Sequence, residues 1–380
     1  MEEVVVIVGA GPSGLATSAC LKLLNIPNII LEKENVYASL WKDRSYDRLK
    51  LHLAKQFCHL PHMPYPPNAP TFVPRQEFIR YIDDYVSTFN IKPKYHRSVV
   101  SAKYDALHQK WRIEVTNTMT GEVELYFARF LVIATGENSK GYIPRVQGLE
   151  CFEGKVIHSS QYKSGAEYNG KKVLVVGCGN SGMEIAYDLS NYGASTSIVV
   201  RSRFHVLTKE MVYLGMVLLK YLPVSCVDPL INMLSYLSYG DLSKYGIHRP
   251  AAGAFEIKAK AGRSPVIDVG TVERIKNGVI TVMPGISRME KNNIVFDNDT
   301  KKHHFDAIIF ATGYRSTVNN WLTDDHDSLL GKSGMPKNPF PDHWKGANGL
   351  YCAGLSRRGL AGVSMDAGTI AKDIKKSFFS

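Results

Sequence analysis

The chain has 380 residues, room for roughly two or three domains, and its 44% apolar and 21% charged residues give a globular composition. A formal charge of +11 attracts polyanionic ligands such as dinucleotides and carboxylates, whereas the lack of a Lys/Arg block or nucleic-acid motif argues against nucleic acid as a partner. No apolar run reaches the ~18 residues of a membrane span, Glu2 and Glu3 stand where a signal peptide would be basic, and the six cysteines form no C-x-x-C pair, so a cytoplasmic protein without a zinc ribbon or redox dithiol is expected.

Residues 4–8, VVVIV, predict a buried parallel strand. Gly9-Ala10-Gly11-Pro12-Ser13-Gly14 follows and fits G-x-G-x-x-G. Gly9 permits the tight turn, Gly11 lets a pyrophosphate approach the backbone, and Gly14 lets the next helix, about 14–24, pack against the strand. The N-terminus of that helix points its N–H groups and positive dipole end at the phosphates. The strand NIILE ends in Glu32, 18 residues beyond Gly14, where an acid bonds ribose hydroxyls and suits an unphosphorylated ribose, as in FAD or NAD.

The proline- and aromatic-rich stretch 56–74 reads as a rigid loop, either a connector or a cover over a flat ligand. A helix at about 75–89 carries Phe78, Ile82, Tyr85 and Phe89 on one face, and strands follow near 98–104, 110–116 and 122–127. FLVIATG, 130–136, closes this part.

The strand 173–176 opens a second fingerprint, Gly177-Cys178-Gly179-Asn180-Ser181-Gly182, with a helix over about 181–191 and a strand, STSIVV. This strand ends in Arg201-Ser202-Arg203, and Arg201 lies 19 residues beyond Gly182, near the place Glu32 takes in the first unit. A guanidinium there pairs a 2′-phosphate and favours NADPH over NADH. The simplest assignment is FAD on the first turn and NADPH on the second, with hydride passing from nicotinamide to flavin.

The apolar helical stretch 207–240 serves as packing core or, alternatively, as a substrate wall or partner surface, and strands resume near 277–283 and 293–296. FDAIIFATGY, 305–314, echoes FLVIATGEN, 130–138, so the chain is expected to leave the first domain at the earlier Ala-Thr-Gly and re-enter it at the later one. A last strand in NGLYCAGL, 348–355, precedes a helix over about 363–377 that starts near Gly359 and Gly362 and aims its N-terminal end at the flavin ring. The fold class is α/β, with two nested Rossmann-like dinucleotide-binding domains. Residues 1–165 and 308–380 make the FAD-binding domain, and 166–307 the NADPH-binding domain with a helical insertion at about 207–262.

Phe152-x-Gly154-x-x-x-His158-x-x-x-Tyr162 stands just before the second fingerprint. With ASLWKDRSYDRLKLHLAKQFC (38–58), ATGEN (134–138), HSSQYKSG (158–165), FATGYRS (310–316) and FPDHWKGANGLY (340–351), it resembles the flavin-containing monooxygenases and, within them, the plant YUCCA group. The resemblance runs from about residue 4 to about 375; Ala54 and Leu355 depart from the usual Pro and Phe, and 207–262 is less similar. It implies FAD and NADPH as cofactors and an NADPH- and O₂-dependent oxidative decarboxylation of indole-3-pyruvate to indole-3-acetate, the hormone auxin, through a C4a-peroxyflavin. On the residues alone His158 reads as structural; a chemical role for His158 and Tyr162, or a link between domains, is the alternative. No nucleophile–base pair, metal cluster or carboxylate pair competes with cofactor chemistry. The cysteine spacing excludes a flavin disulfide reductase. An N- or S-oxygenating flavin enzyme and a non-catalytic dinucleotide sensor remain as rivals.

Overall fold

The computed structural model describes residues 1–323 and 326–378. It divides into two compact units, one built from Met1–Asp43, Ala54–Lys140 and the chain from Tyr314 onward, the other from Arg44–Leu53 and Gly141–Gly313.

The first unit is organised on the strand Glu2–Val8, whose Val5, Val6 and Ile7 are fully buried. It pairs in parallel with Asn28–Leu31 on one side and Val123–Ile133 on the other. Burying each such aliphatic side chain contributes about 1.5–3 kcal/mol, which explains a strand of β-branched residues with no polar face. The sequence suggests two strands between 122 and 136, but the structure forms a single one, Val123–Ile133. Its first half pairs antiparallel with Lys110–Asn117 and alternates in burial; its second half lies between Glu2–Val8 and Leu350–Cys352 and is covered on both faces. The change from alternating to continuous apolar residues marks this change of neighbours.

Helix Arg75–Thr88 buries Phe78, Tyr81, Ile82 and Tyr85. The loop 56–74 is fastened to it: the Tyr81 hydroxyl donates to the Met63 carbonyl (2.7 Å) and accepts from Leu60 N–H (2.7 Å), Tyr85 donates to Pro61 O (3.1 Å), and Tyr65 stacks on Tyr81. The C-terminal helix begins at Gly359, four residues ahead of the expected 363.

The second unit holds an all-parallel sheet in the order Ile280–Met283, Ser195–Val199, Lys172–Val176, Ala307–Phe310, Lys155–His158. Sequence reasoning sets the unit boundaries at 165/166 and 307/308; the structure sets them at 140/141 and 313/314. The reason is pairing: Lys155–His158 runs alongside Ala307–Phe310, with His158 opposite Phe310, so both strands belong to the second sheet. Residues Arg44–Leu53 also fall in the second unit, not in the FAD-binding part where the sequence reading places them. There the Tyr46 hydroxyl donates to Glu184 (2.6 Å) and Asp47 N–H to Lys163 O (3.1 Å).

The apolar stretch 207–240 forms two helices, Lys209–Leu218 and Val224–Tyr239, because Pro223 disfavours helical backbone at Leu222 and then caps the second helix. With Ala254–Ala261 they enclose a separate core around Leu207, Met211, Val227, Ile231 and Phe255. No helix among the described residues is long and apolar enough to cross a membrane.

Candidate functional site

Each glycine turn has two crowded glycines and one open one. In the first unit Gly9 sits at φ +106°, and a Cβ there would lie 2.6 Å from the Ala134 carbonyl oxygen. A Cβ on Gly14 would lie 1.9 Å from the Gly9 carbonyl oxygen, so helix Pro12–Leu23 can close on the strand only without a side chain. Gly11 caps that helix without any side-chain hydrogen bond, and its missing Cβ faces open space. Pro12 at the first helical position has no N–H to satisfy, and the other N–H groups of the first turn lack intrahelical acceptors. The open cradle at Gly11, beside a positive helix end, fits a pyrophosphate.

The second turn repeats this geometry. Gly177 has φ +114° with the Ala311 oxygen 2.5 Å from a Cβ, Gly182 is closed by Gly177 O at 1.9 Å, and Gly179 is open. The repeat also explains the Ala-Thr-Gly echo. Ala134 N–H bonds Val8 O (2.9 Å) and Ala311 N–H bonds Val176 O (2.8 Å), so each Ala-Thr-Gly segment backs the first glycine of its own turn.

The surroundings differ. Glu32 is buried, and its carboxylate accepts from Ala10 N–H (2.7 Å) and Glu34 N–H (3.0 Å). The acid expected at a ribose therefore also ties the first turn to the end of the second strand. Ser13 is buried too, and its hydroxyl lies against Gly354, whose N–H is held by Asp366 (2.8 Å). Asp366 in turn pairs with the buried His343 (3.0 Å).

In the second turn Cys178 is half-buried and its thiol is pushed up by burial, against the hydrogen bonds it makes to backbone near Arg201 and Ser202. Asn180, at the first helical position, is used on both sides: Oδ1 accepts from Ile267 N–H (2.7 Å) and Nδ2 donates to Pro265 O (3.2 Å). Ser181 hydrogen-bonds the Tyr46 hydroxyl.

A cleft of about 780 Å³ runs along this second turn, within the range of small-molecule sites. Gly177–Asn180 and Ala311 form part of its wall, and Arg145, Arg201, Arg203 and Arg263 project into it with Asp297. Among the described residues none of the four guanidinium groups has a carboxylate partner. Sequence reasoning singles out Arg201 and Arg203; Arg145 and Arg263 lie far from the fingerprint in the chain and carry no local signal.

His158 and Tyr162 hold the frame of the second turn. His158 ends the strand Lys155–His158, and its Nδ1 accepts from Ser160 N–H (3.2 Å). That fixes a proton on Nε2, which donates to Gly313 O (3.0 Å) at the end of the second Ala-Thr-Gly. Burial holds the imidazole below its ordinary value, which favours this neutral form. The Tyr162 hydroxyl donates to Asp188 (2.7 Å) on helix Asn180–Asn191, the helix that starts at the turn. Gly154 completes the motif: a Cβ there would strike Asp306 O at 2.4 Å.

Residues 2–350 match the flavin-binding monooxygenase-like family. The chain is similar to a probable indole-3-pyruvate monooxygenase, YUCCA10 of Arabidopsis thaliana, with 55% identity over 376 residues, 99% of this chain and 98% of the relative. It is 46% identical over 374 residues to the indole-3-pyruvate monooxygenase YUCCA1 of Oryza sativa subsp. japonica, covering 97% of this chain and 90% of that one. A flavin-containing monooxygenase from Stenotrophomonas maltophilia shares the fold, with a TM-score of 0.73 at 20% identity over 100% of this chain and 99% of that one. With a match spanning nearly the whole sequence and both glycine turns intact, the chain belongs to the flavin-binding monooxygenase-like family.

Proposed function

We propose that the chain binds FAD on the first glycine turn and NADPH on the second. It catalyses conversion of indole-3-pyruvate, O₂, NADPH and a proton into indole-3-acetate, CO₂, NADP⁺ and water. The observation that carries the reading is the second turn: an open glycine and a helix N-terminus facing a cleft lined by one acid and by four arginines that have no carboxylate partner among the described residues. A dinucleotide with a pyrophosphate and a 2′-phosphate meets those charges. The substrate rests on the relatives, which are named indole-3-pyruvate monooxygenases and are covered over nearly their whole length.

The bound flavin and nicotinamide supply the hydride and oxygen chemistry. The chain supplies position. Gly11 and Gly179 give two pyrophosphates backbone contact, and Glu32 offers its remaining lone pairs to ribose hydroxyls. Arg201 and Arg203, exposed after the strand Ser195–Val199, take the 2′-phosphate. His158 and Tyr162 are positioning residues: one holds the Ala-Thr-Gly segment behind Gly177, the other the helix that begins at Asn180. The same reading places the enzyme in the cytoplasm.

The test is aerobic turnover of FAD-loaded protein with NADPH and indole-3-pyruvate under ¹⁸O₂. Indole-3-acetate carrying one ¹⁸O above the enzyme-free background is expected. NADPH consumption that yields only hydrogen peroxide would overturn the substrate, and no NADPH consumption would overturn the enzyme.

A further inference from the structure

Packing accounts for only one side of the apolar stretch 207–240. On helix Val224–Tyr239, Val227 and Ile231 turn inward to the core they share with Met211 and Phe255. The other side carries Cys226, Leu230, Met233, Tyr236 and Leu237, all exposed, with Met233 53%, Tyr236 58% and Leu237 73% accessible. At 3.6 residues per turn these five fall in a stripe about 120° wide, across the helix from Ile231.

A helix that packs on a core normally turns charged and polar residues to the water. This helix has a single charge in its 16 residues, Asp228, and that one is buried. The Asp228 carboxylate accepts from Phe255 N–H (2.9 Å) and Glu256 N–H (2.9 Å) and so caps helix Ala254–Ala261. The outer face is therefore uncharged as well as apolar. It extends beyond the helix: Tyr221, in the turn leading into it, is 81% exposed, and Tyr213 stands out from the adjoining helix Lys209–Leu218. The exposed parts of these two tyrosines with Leu230, Met233, Tyr236 and Leu237 amount to more than three whole side chains, roughly 700 Å² at about 200 Å² apiece. The largest apolar patch of an ordinary monomer covers about 300–600 Å², and one partner of a stable interface contributes about 800 Å².

The stripe also carries the signature of its occupant. Cys226, Leu230, Met233 and Leu237 are spaced 4, 3 and 4, the alternation by which two helices meet along a seam. That spacing reads the same in both directions. A second copy laid antiparallel across a two-fold axis therefore sets its Met233 opposite Leu230 and its Leu237 opposite Cys226. Chains of formal charge +11 repel one another, and an uncharged face is where two of them can meet. A membrane surface is the poorer match, because helices that lie on one carry Lys and Arg beside the apolar face, and this helix has neither.

We propose that helix Val224–Tyr239 is the contact face of a two-fold homodimer, in which it pairs antiparallel with the same helix of a second copy about an axis between Leu230 and Met233.

The experiment is sedimentation equilibrium of the FAD-loaded full chain, which should be dimeric at about 20 µM, within the range open to an interface of this size. Leu230→Glu and Met233→Lys each set a charge against an apolar side chain of the other copy and should weaken the dimer about a hundredfold or more. Flavin content should not change, since both positions are exposed in the single chain. The double variant places opposite charges across the axis and should recover most of the loss. The native thiol reads the orientation. Cys226 and Leu237 are separated by roughly 16 Å along one helix, too far to bridge within a chain. Leu237→Cys should therefore give a disulfide-linked dimer on mild oxidation, and Leu237→Cys combined with Cys226→Ser should give none. A monomer at about 100 µM would overturn the proposal, as would a dimer that Leu230→Glu leaves intact. A covalent wild-type dimer through Cys226 would mean a parallel pair and overturn the two-fold arrangement. A monomer that floats with vesicles of phosphatidylcholine and phosphatidylserine, and no longer does so as Leu230→Glu, would give the face to a membrane instead.

Discussion

The two glycine turns have nearly the same backbone and opposite surroundings. Gly11 and Gly179 cap their helices at φ −71° and −74°, and in each turn the first and third glycines are crowded by the same kinds of carbonyl. What differs is the end of the following strand. In the first unit a buried carboxylate bends back and bonds the turn itself; in the second, exposed guanidinium groups stand in a cleft without a carboxylate partner among the described residues. One turn is completed from within; on the proposed reading the other is completed by a ligand's phosphate. On the proposed reading the backbone sets that a pyrophosphate binds, and the strand end sets which dinucleotide carries it.

The shared part is the most fragile. Gly14→Ala and Gly182→Ala each drive a methyl group into a carbonyl oxygen, and neither helix can shift without losing its contact with the sheet. Each should cost about 3 kcal/mol or more and lower the folded yield, read by chemical denaturation. Tolerance at one glycine and collapse at the other would break the equivalence of the turns.

The open glycines separate binding from stability. Gly11→Ala and Gly179→Ala place their methyl groups where the structure has no atom within 4 Å. Cofactor-free stability should fall by only about 1 kcal/mol, the difference between Gly and Ala at a helix N-cap. Gly11→Ala should release the flavin on gel filtration while the second turn still binds NADPH. Gly179→Ala should retain the flavin and raise the KM for NADPH tenfold or more. The crossed result would exchange the two cofactors.

The strand ends should respond differently again. Glu32→Gln turns an NH₂ group towards one of the two backbone N–H donors it serves, in a buried site, and should destabilise the cofactor-free protein by about 1–3 kcal/mol. Arg201→Ala removes an exposed group that has no carboxylate partner among the described residues and should change that stability by less than about 0.5 kcal/mol. Equal stability losses would mean that Arg201 is as much a part of the scaffold as Glu32.

What the sequence discloses follows from distance along the chain. Both fingerprints, Glu32 and Arg201 are local: each lies within 20 residues of its last glycine, so spacing alone places them. The Ala-Thr-Gly echo is legible as a repeat, but its purpose is not, because Ala134 and Ala311 lie more than 120 residues from the glycines they support. His158 and Tyr162 resist a reading for the same reason, since their partners are Gly313 and Asp188 on separate elements. Residues 44–53 look continuous with the first unit, and only their packing against helix Asn180–Asn191 assigns them to the second. Arg263 reaches the cleft of the second turn only after a long helical excursion, which leaves no trace in composition or periodicity.

The smallest expected effect tests the frame of the second turn alone. Burial keeps the imidazole of His158 below its ordinary value of 6.5, so in the folded chain it stays neutral while the unfolded chain takes up a proton. Above about pH 6.5 both states are neutral and His158 contributes its hydrogen bonds in full. Below it the unfolded state binds more protons, and stability falls by at most about 1.4 kcal/mol per pH unit for one group, until the folded imidazole itself protonates. That proton would then oppose the bond from Ser160 N–H to Nδ1 while leaving the Nε2 donation to Gly313 in place. His158→Gln removes the titration and keeps an amide that can donate and accept. Its stability at pH 7 should be lower than wild type by about 1 kcal/mol, and its slope between pH 6.5 and 5 should be the shallower of the two in matched urea titrations. The subtraction cancels carboxylates common to both proteins, so equal slopes would show that the neutral imidazole is not what holds the second Ala-Thr-Gly behind Gly177.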